Sequence, residues 1–281
     1  LKKILEAIYE PRFLNCMYGF RPNRGCHDAI KELYKRLNNT KICYIVDADI
    51  KGFFDHMKHE WIIKFLYLYI KDPNIIGLVK KYLKVGVIDG GELMMNEEGS
   101  AQGNIISPIL ANIYMHNVLT LWYKFIITKE CKGDNFLIVY ADDFVAGFQY
   151  KWEAENYYKL LKERMEKFGL QLEESKSHLL QSGAYIARAK QKSGESTRLE
   201  TFDFLGFTFY CGRSRKGMPY IMPKTSSKKF RQKIRDIKVW LYANRDQSLK
   251  KLMGMLNLKL VGHYRYYGIS FNGRMISNYK Q

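Results

Sequence analysis

The sequence predicts an α+β fold in which an antiparallel sheet is backed by helices, and three observations carry that prediction. β-branched and aromatic runs occur at Lys41 to Asp49, Phe136 to Tyr140, Phe144 to Phe148 and Thr201 to Cys211. Longer segments repeat apolar residues at three- and four-residue intervals, the spacing of one helical face. Between the second and third β-rich runs stands only Ala141-Asp142-Asp143, the pattern of a tight hairpin.

In chain order, Leu1 to Tyr9 reads as a helix with Ile4, Leu5 and Ile8 on one face, ending near Pro11. Gly19 to Gly25 is a loop, followed by a helix on which Ala29, Ile30, Leu33 and Leu37 recur at helical spacing. His56 to Ile70 is helical and is expected to stop at Asp72-Pro73. Asp89-Gly90-Gly91 is a hairpin-type turn signal. Ser107-Pro108 has the form of an N-cap with proline at the first helical position, opening a helix to about Ile127. Ala154 to Phe168 carries Tyr157, Leu161, Met165 and Phe168 on one stripe, with Gly169 as C-cap. Gly183 to Glu200 is polar and is expected to be mostly loop. A strand interrupted by Gly206 follows, and then two helices: Ser227 to Leu241, with Phe230, Ile234, Ile237 and Leu241 inward, and Gln247 to about Val261.

Composition narrows the class. A hydrophobic fraction of 47% over 281 residues is ample for a sizeable core. Five cysteines without a Cys-x-x-Cys pair argue against a disulfide framework or a zinc ribbon and for a reducing, cytoplasmic setting. The apolar runs Trp61 to Ile70 and Ile105 to Ile127 are broken well short of about 18 clean apolar residues, so no membrane span is expected. The chain starts at Leu1 without an initiator Met or a signal pattern, which suggests a piece lacking its natural N-terminus.

The net charge is +18, and it is unevenly spread: Arg213 to Gln281 holds 17 Lys and Arg against Asp236 and Asp246. Such a basic end suits a polyanion, while the near-neutral body suits chemistry that needs carboxylates. A solvated lysine-rich surface accounts for the charge alone equally well. The division expected is a body over residues 1–212 and a basic helical part over residues 213–281.

Asp49 ends one strand and Asp142-Asp143 cap a hairpin; if these elements share a sheet, three carboxylates converge. Like charges repel at such a point unless cations neutralise them. Two magnesium ions about 3.5–4 Å apart would do so and would suit an in-line displacement at phosphorus. Taken singly, Asp-Asp in a turn is ordinary turn chemistry.

The constellation adds what the pair lacks. Asp49-Ile50-Lys51-Gly52-Phe53-Phe54-Asp55, Ser100-Ala101-Gln102-Gly103 with Ser107-Pro108, Tyr140-Ala141-Asp142-Asp143 and Phe204-Leu205-Gly206-Phe207 resemble the ordered motifs of reverse transcriptases. Tyr9-Glu10-Pro11, Gly19-Phe20-Arg21-Pro22 and Gly262 to Tyr267 resemble, more narrowly, bacterial group II intron-encoded reverse transcriptases, or maturases.

The resemblance implies a right-hand polymerase palm with partial fingers and a helical thumb, the last being a maturase X domain held only in part. It implies metal ligation by Asp49, Asp142 and Asp143 with the Ile50 carbonyl, using two Mg2+ ions for which Mn2+ can substitute. Phe54 would be a steric gate beneath the nucleotide sugar, Gln102 and Gly103 would approach the nucleotide, and Lys176 would meet the triphosphate. Phe204, Leu205 and Gly206 would form the primer grip. Arg21, Arg24, Lys228, Lys229, Arg231, Lys233, Arg235 and Lys238 would bind RNA. Tyr264, Tyr266 and Tyr267 would either stack on bases or pack in the core.

The implied activity is RNA-directed DNA polymerase, with RNA template, DNA primer and deoxynucleoside triphosphates as partners, together with binding of group II intron RNA for splicing and retrotransposition. Other readings are a catalytically incompetent RNA-binding splicing cofactor and a retron-type reverse transcriptase.

Overall fold

The computed structural model describes residues 1–84, 87–89, 92–94, 98–99 and 105–280. Helix α1 (Lys2–Tyr9) buries Leu5 and Tyr9, and Pro11 follows in a short 3-10 turn. Helix α2 (Cys26–Asn39) buries the face expected of it, and its Asp28 carboxylate accepts the Gly25 N–H at 2.8 Å. Strand β1 (Tyr44–Ala48) leads to a short helix α3 (Phe53–His56) and to α4 (His59–Tyr67).

The helix expected to stop at Asp72-Pro73 ends at Tyr67, and Pro73 opens a new helix, α5 (Pro73–Lys84). The Asp72 carboxylate accepts the Asn74 N–H at 2.8 Å, and proline suits a first turn whose N–H groups lack helical partners. Strands β2 (Val87–Asp89) and β3 (Glu92–Met94) pair as the turn signal predicts; Gly90 and Gly91 lie outside the described residues.

Helix α6 (Ser107–Met115) continues to Ile127 through two wide π turns, His116–Thr120 and Tyr123–Ile127, before the short α7 (Thr128–Glu130). Asn117 and Thr120 there donate to the carbonyls of Ile113 and His116, side-chain bonds that compete with the helical ladder. The hairpin is β4 (Asn135–Tyr140) and β5 (Asp143–Phe148), and α8 (Lys151–Lys167) and β6 (His178–Gln181) follow.

The stretch expected to be loop after Gly183 begins with helix α9 (Ala184–Lys192). Its buried face is made by Ala184 and Ala187, residues too small to raise an apolar periodicity in a polar sequence. Strands β7 (Phe202–Phe204), β8 (Phe207–Arg213) and β9 (Pro219–Thr225) form a second sheet, followed by α10 (Ser227–Ala243), α11 (Leu249–Tyr267) and α12 (Gly273–Lys280). The division expected after residue 212 would cut the β8–β9 hairpin, in which Gly212 faces Tyr220 and Arg213 faces Pro219. The helical part starts after Thr225, where that sheet ends.

The main sheet has the order β4-β5-β1-β6 and is antiparallel throughout. One core packs on each face. Val46, Ala48, Phe144, Ala146 and Phe148 join α1, α4, α6 and α8 on one side, and Ile45, Ile138 and Val145 join α2, α9 and the second sheet on the other. Because strand side chains alternate, this burial locks the register: a slip by one residue would turn each set onto the wrong core.

Candidate active site

The register brings the acidic residues together. Ala48 faces Phe144 across β1 and β5, and continuing that pairing by one residue sets Asp49 opposite Asp143. Asp47, Asp49 and Asp143 share the parity of Ile45 and Val145, so all three side chains leave the sheet on the side of the second core. Asp142 sits in the turn itself, after Ala141, whose φ is +58°. Gly19 supports that turn from behind: a Cβ on it would come within 2.6 Å of the Ala141 nitrogen, and its carbonyl accepts from Asn112 Nδ2 at 2.8 Å. Only glycine permits so close an approach.

The electrostatics follow from the crowding. Burial, and then the charges of Asp142 and Asp49, push Asp143 up to about 7, although the nearby Leu205 backbone opposes the rise. Burial and the Asp49 charge also raise Asp142. Asp47, half-buried and facing Asp143, Asp203 and Asp49, is pushed by burial and then by those charges to about 8. Asp49 has a cation at hand, since Lys176 Nζ lies 2.9 Å from its Oδ2.

Carboxylate oxygens are the donors that hard divalent cations take, and mutually repelling carboxylates gain most from one, so this donor set fits divalent metal. Among the described residues, no three His, Cys, Asp or Glu side chains already form a metal-ligating group. Ile50 pairs with Leu172 through bonds made by its neighbours, Lys51 N–H to Gln171 and Glu173 N–H to Asp49. Its own carbonyl therefore points to the opposite edge, the β5 side.

Phe54 is half-buried, edge-on to the core residue Phe53 at 5.3 Å. Gln102 and Gly103 lie outside the described residues, but the chain leading towards them is anchored beside Phe54: the Gly99 N–H donates to the Met57 carbonyl at 2.9 Å, His59 Nε2 donates to the Gly99 carbonyl at 2.6 Å, and Lys58 pairs with Glu98. Phe204, Leu205 and Gly206 form the end of β7 and its turn into β8, lining a cavity of about 520 Å³ together with Asp47, Asp49 and Asp143. Lys228, Lys229, Arg231, Lys233, Arg235 and Lys238 are all exposed on α10.

Arg21 corrects the sequence reading. Its side chain is only 5% exposed, grips Glu10 at 2.8 Å and donates to the carbonyls of Leu14 and Met17 at 2.8 and 3.0 Å, which leaves it no face for a phosphate. Arg24 is partly exposed, and its guanidinium donates to Asn15 at 2.8 Å.

The family model described as reverse transcriptase (RNA-dependent DNA polymerase) matches residues 1–209. The chain belongs to the reverse transcriptase family. That family uses divalent metal ions, in keeping with the carboxylate donors of this site. The chain is 39% identical over 131 residues to the group II intron-encoded protein LtrA of Lactococcus lactis, a match covering 47% of this chain and 21% of that protein. Protein YkfC of Escherichia coli is 34% identical over 115 residues, covering 40% of this chain and 30% of its own. Against the first of these the chain spans about a fifth of the relative's length. The group II intron resemblance expected from the motifs is borne out by these relatives. Apo telomerase from Candida tropicalis shares the fold at a TM-score of 0.56 and 14% identity, covering 81% of this chain and 40% of that one. The expected α+β polymerase fold is thereby borne out.

Asp47, Asp203 and Tyr266 lie around the acidic cluster, and of these the sequence places only Asp47 in the acidic neighbourhood, without a metal role. Strand period two puts Asp47 on the face of Asp49. Asp203, which accepts from Ser226 Oγ at 2.7 Å, and Tyr266, whose hydroxyl donates to the Leu205 carbonyl at 2.9 Å, are joined to the site by tertiary structure alone.

Among the described residues no helix is long and apolar enough to cross a membrane.

Proposed function

We propose that the chain is the polymerase part of a group II intron-type reverse transcriptase, extending a DNA primer on an RNA template with deoxynucleoside triphosphates. The observation that supports this most is the β1–β5 register, which sets Asp49 opposite Asp143 beside the turn carrying Asp142.

On this reading Asp49, Asp142 and Asp143, with the Ile50 carbonyl, hold two Mg2+ ions, for which Mn2+ can substitute. When bound, such ions neutralise the carboxylates and the triphosphate and make the primer hydroxyl a better nucleophile. The chain's own residues do the rest. Phe204, Leu205 and Gly206 hold the primer end against the carboxylates. Gln102 and Gly103 border the nucleotide, and the Phe54 ring fills the space a 2′-hydroxyl would need. The primer 3′ oxygen bonds to the α-phosphorus as the bond to pyrophosphate breaks, and Lys176 gives the leaving group its charge partner or its proton. The basic face of α10, from Lys228 to Lys238, together with Arg24, holds backbone phosphates by charge without reading sequence.

Binding of group II intron RNA for splicing and mobility, in a reducing bacterial cytoplasm, extends the same reading through likeness to the intron-encoded relatives. Five free cysteines are consistent with that setting.

Primer extension on an RNA template, with deoxynucleotides and ribonucleotides offered separately, tests the proposal. Extension by deoxynucleotides that Asp142→Asn abolishes supports it. Salt-sensitive RNA binding without extension in any divalent metal leaves an RNA-binding splicing cofactor instead.

A further inference from the structure

Three parts of the molecule meet at one tyrosine. The Tyr266 hydroxyl on α11 donates to the Leu205 carbonyl at 2.9 Å, and Tyr266 and Leu205 line one cavity with Asp143. At its other end, the Tyr266 carbonyl accepts from His27 Nε2 at 2.7 Å, in the first turn of α2.

Leu205 is the strained member of this chain. It and Gly206 hold φ of +48° and +78°, the two left-handed positions of the tight turn between β7 and β8. An L side chain keeps such a backbone only where its surroundings over-determine it. Here they do. The Tyr266 ring stacks on Phe207 with centroids 5.9 Å apart, and the Tyr267 hydroxyl covers Gly206, where a Cβ would meet it at 3.1 Å.

We propose that Tyr266 is a positioning residue for nucleotide addition: its hydroxyl fixes the Leu205 backbone, and with it the wall that borders Asp143 in their shared cavity, while His27 ties the same tyrosine to α2. Crowded carboxylates tend to turn from one another, so a fixed wall beside one of them holds the cluster's geometry. The Tyr266–Leu205 and His27–Tyr266 contacts stand on distances; the kinetic consequence rests on the polymerase reading.

Tyr266→Phe removes the hydroxyl and keeps the stacked ring. It is expected to speed hydrogen exchange at the Leu205 amide, read by NMR, about tenfold or more. The single-turnover rate at saturating primer–template and nucleotide should fall by about tenfold, with primer–template affinity and melting temperature nearly unchanged. His27→Ala should show the same pattern more weakly, and His27→Gln, which retains a donor, should restore it. Unchanged exchange at Leu205 overturns the proposal. So does a defect confined to primer–template affinity, because Tyr266 would then be only a duplex contact. A wild-type chain that extends no primer while its Leu205 amide responds as expected counts against the polymerase reading and leaves the contact chain in place.

Discussion

Lys176 Nζ lies 2.9 Å from Asp49 Oδ2, where the end of β1 meets the segment leading into β6. The hydrogen bond to Asp49 raises the lysine above its usual value, so it is charged at any working pH. Both side chains are substantially exposed, and an exposed pair adds little to stability. Its use is therefore local. Lys176→Met should raise the nucleotide KM or lower the extension rate by about tenfold or more without moving the melting temperature. A large loss of melting temperature with normal kinetics would make the pair structural.

The Phe54 ring is half-buried on Phe53, which fixes its place a few residues beyond Asp49. Phe54→Ala should open that place. The preference for deoxynucleotides over ribonucleotides, measured as a ratio of kcat/KM, is expected to fall by about a hundredfold. An unchanged ratio would return Phe54 to the role of a core aromatic.

Asp143 and Asp47 are held at about 7 and about 8, above the ordinary carboxylate value. In the unfolded chain both ionise near pH 4, so across the window from about 4 to 8 the folded chain binds more protons than the unfolded one. Stability contributed by these protons is present at low pH and is lost as pH rises through the folded values. In chelator, the stability of the wild type relative to Asp143→Asn should therefore fall as pH rises from about 5 to about 8, and divalent cation added at the upper end should recover it. A relative stability that rises over that range would contradict the shift.

Arg21 and Lys229 separate structural charge from binding charge. Arg21→Met strips a buried pair of one partner and leaves carbonyls of Leu14 and Met17 unpaired, so urea unfolding should show a loss of about 3 kcal/mol. Lys229 is exposed, and Lys229→Ala should leave unfolding unchanged while lowering the slope of log affinity against log salt for RNA by about one. The reverse assignment of effects would restore Arg21 to the binding surface.

Much of this site is legible in sequence because it is built from local signals. The run ending at Asp49, the hairpin around Asp142 and the apolar face of α2 each carry a period that survives folding. Other features depend on tertiary partners that no local pattern encodes. Helix α9 hides behind two alanines, and Pro73, read as a stop, also starts α5, where the Asp72 carboxylate accepts the Asn74 N–H. Arg21 looks like a phosphate ligand in a loop, yet Glu10, eleven residues away, claims it. Tyr266 lies 61 residues from the turn it bonds.

The most direct test of the account is the rate of a single deoxynucleotide addition to a primer on an RNA template, measured with RNA affinity for the wild type and for Asp49→Asn, Asp142→Asn and Asp143→Asn. The account predicts that each substitution lowers the rate by about a thousandfold or more while affinity stays within about twofold. Rates that survive all three substitutions would contradict it and move the chemistry away from the β1–β5 register.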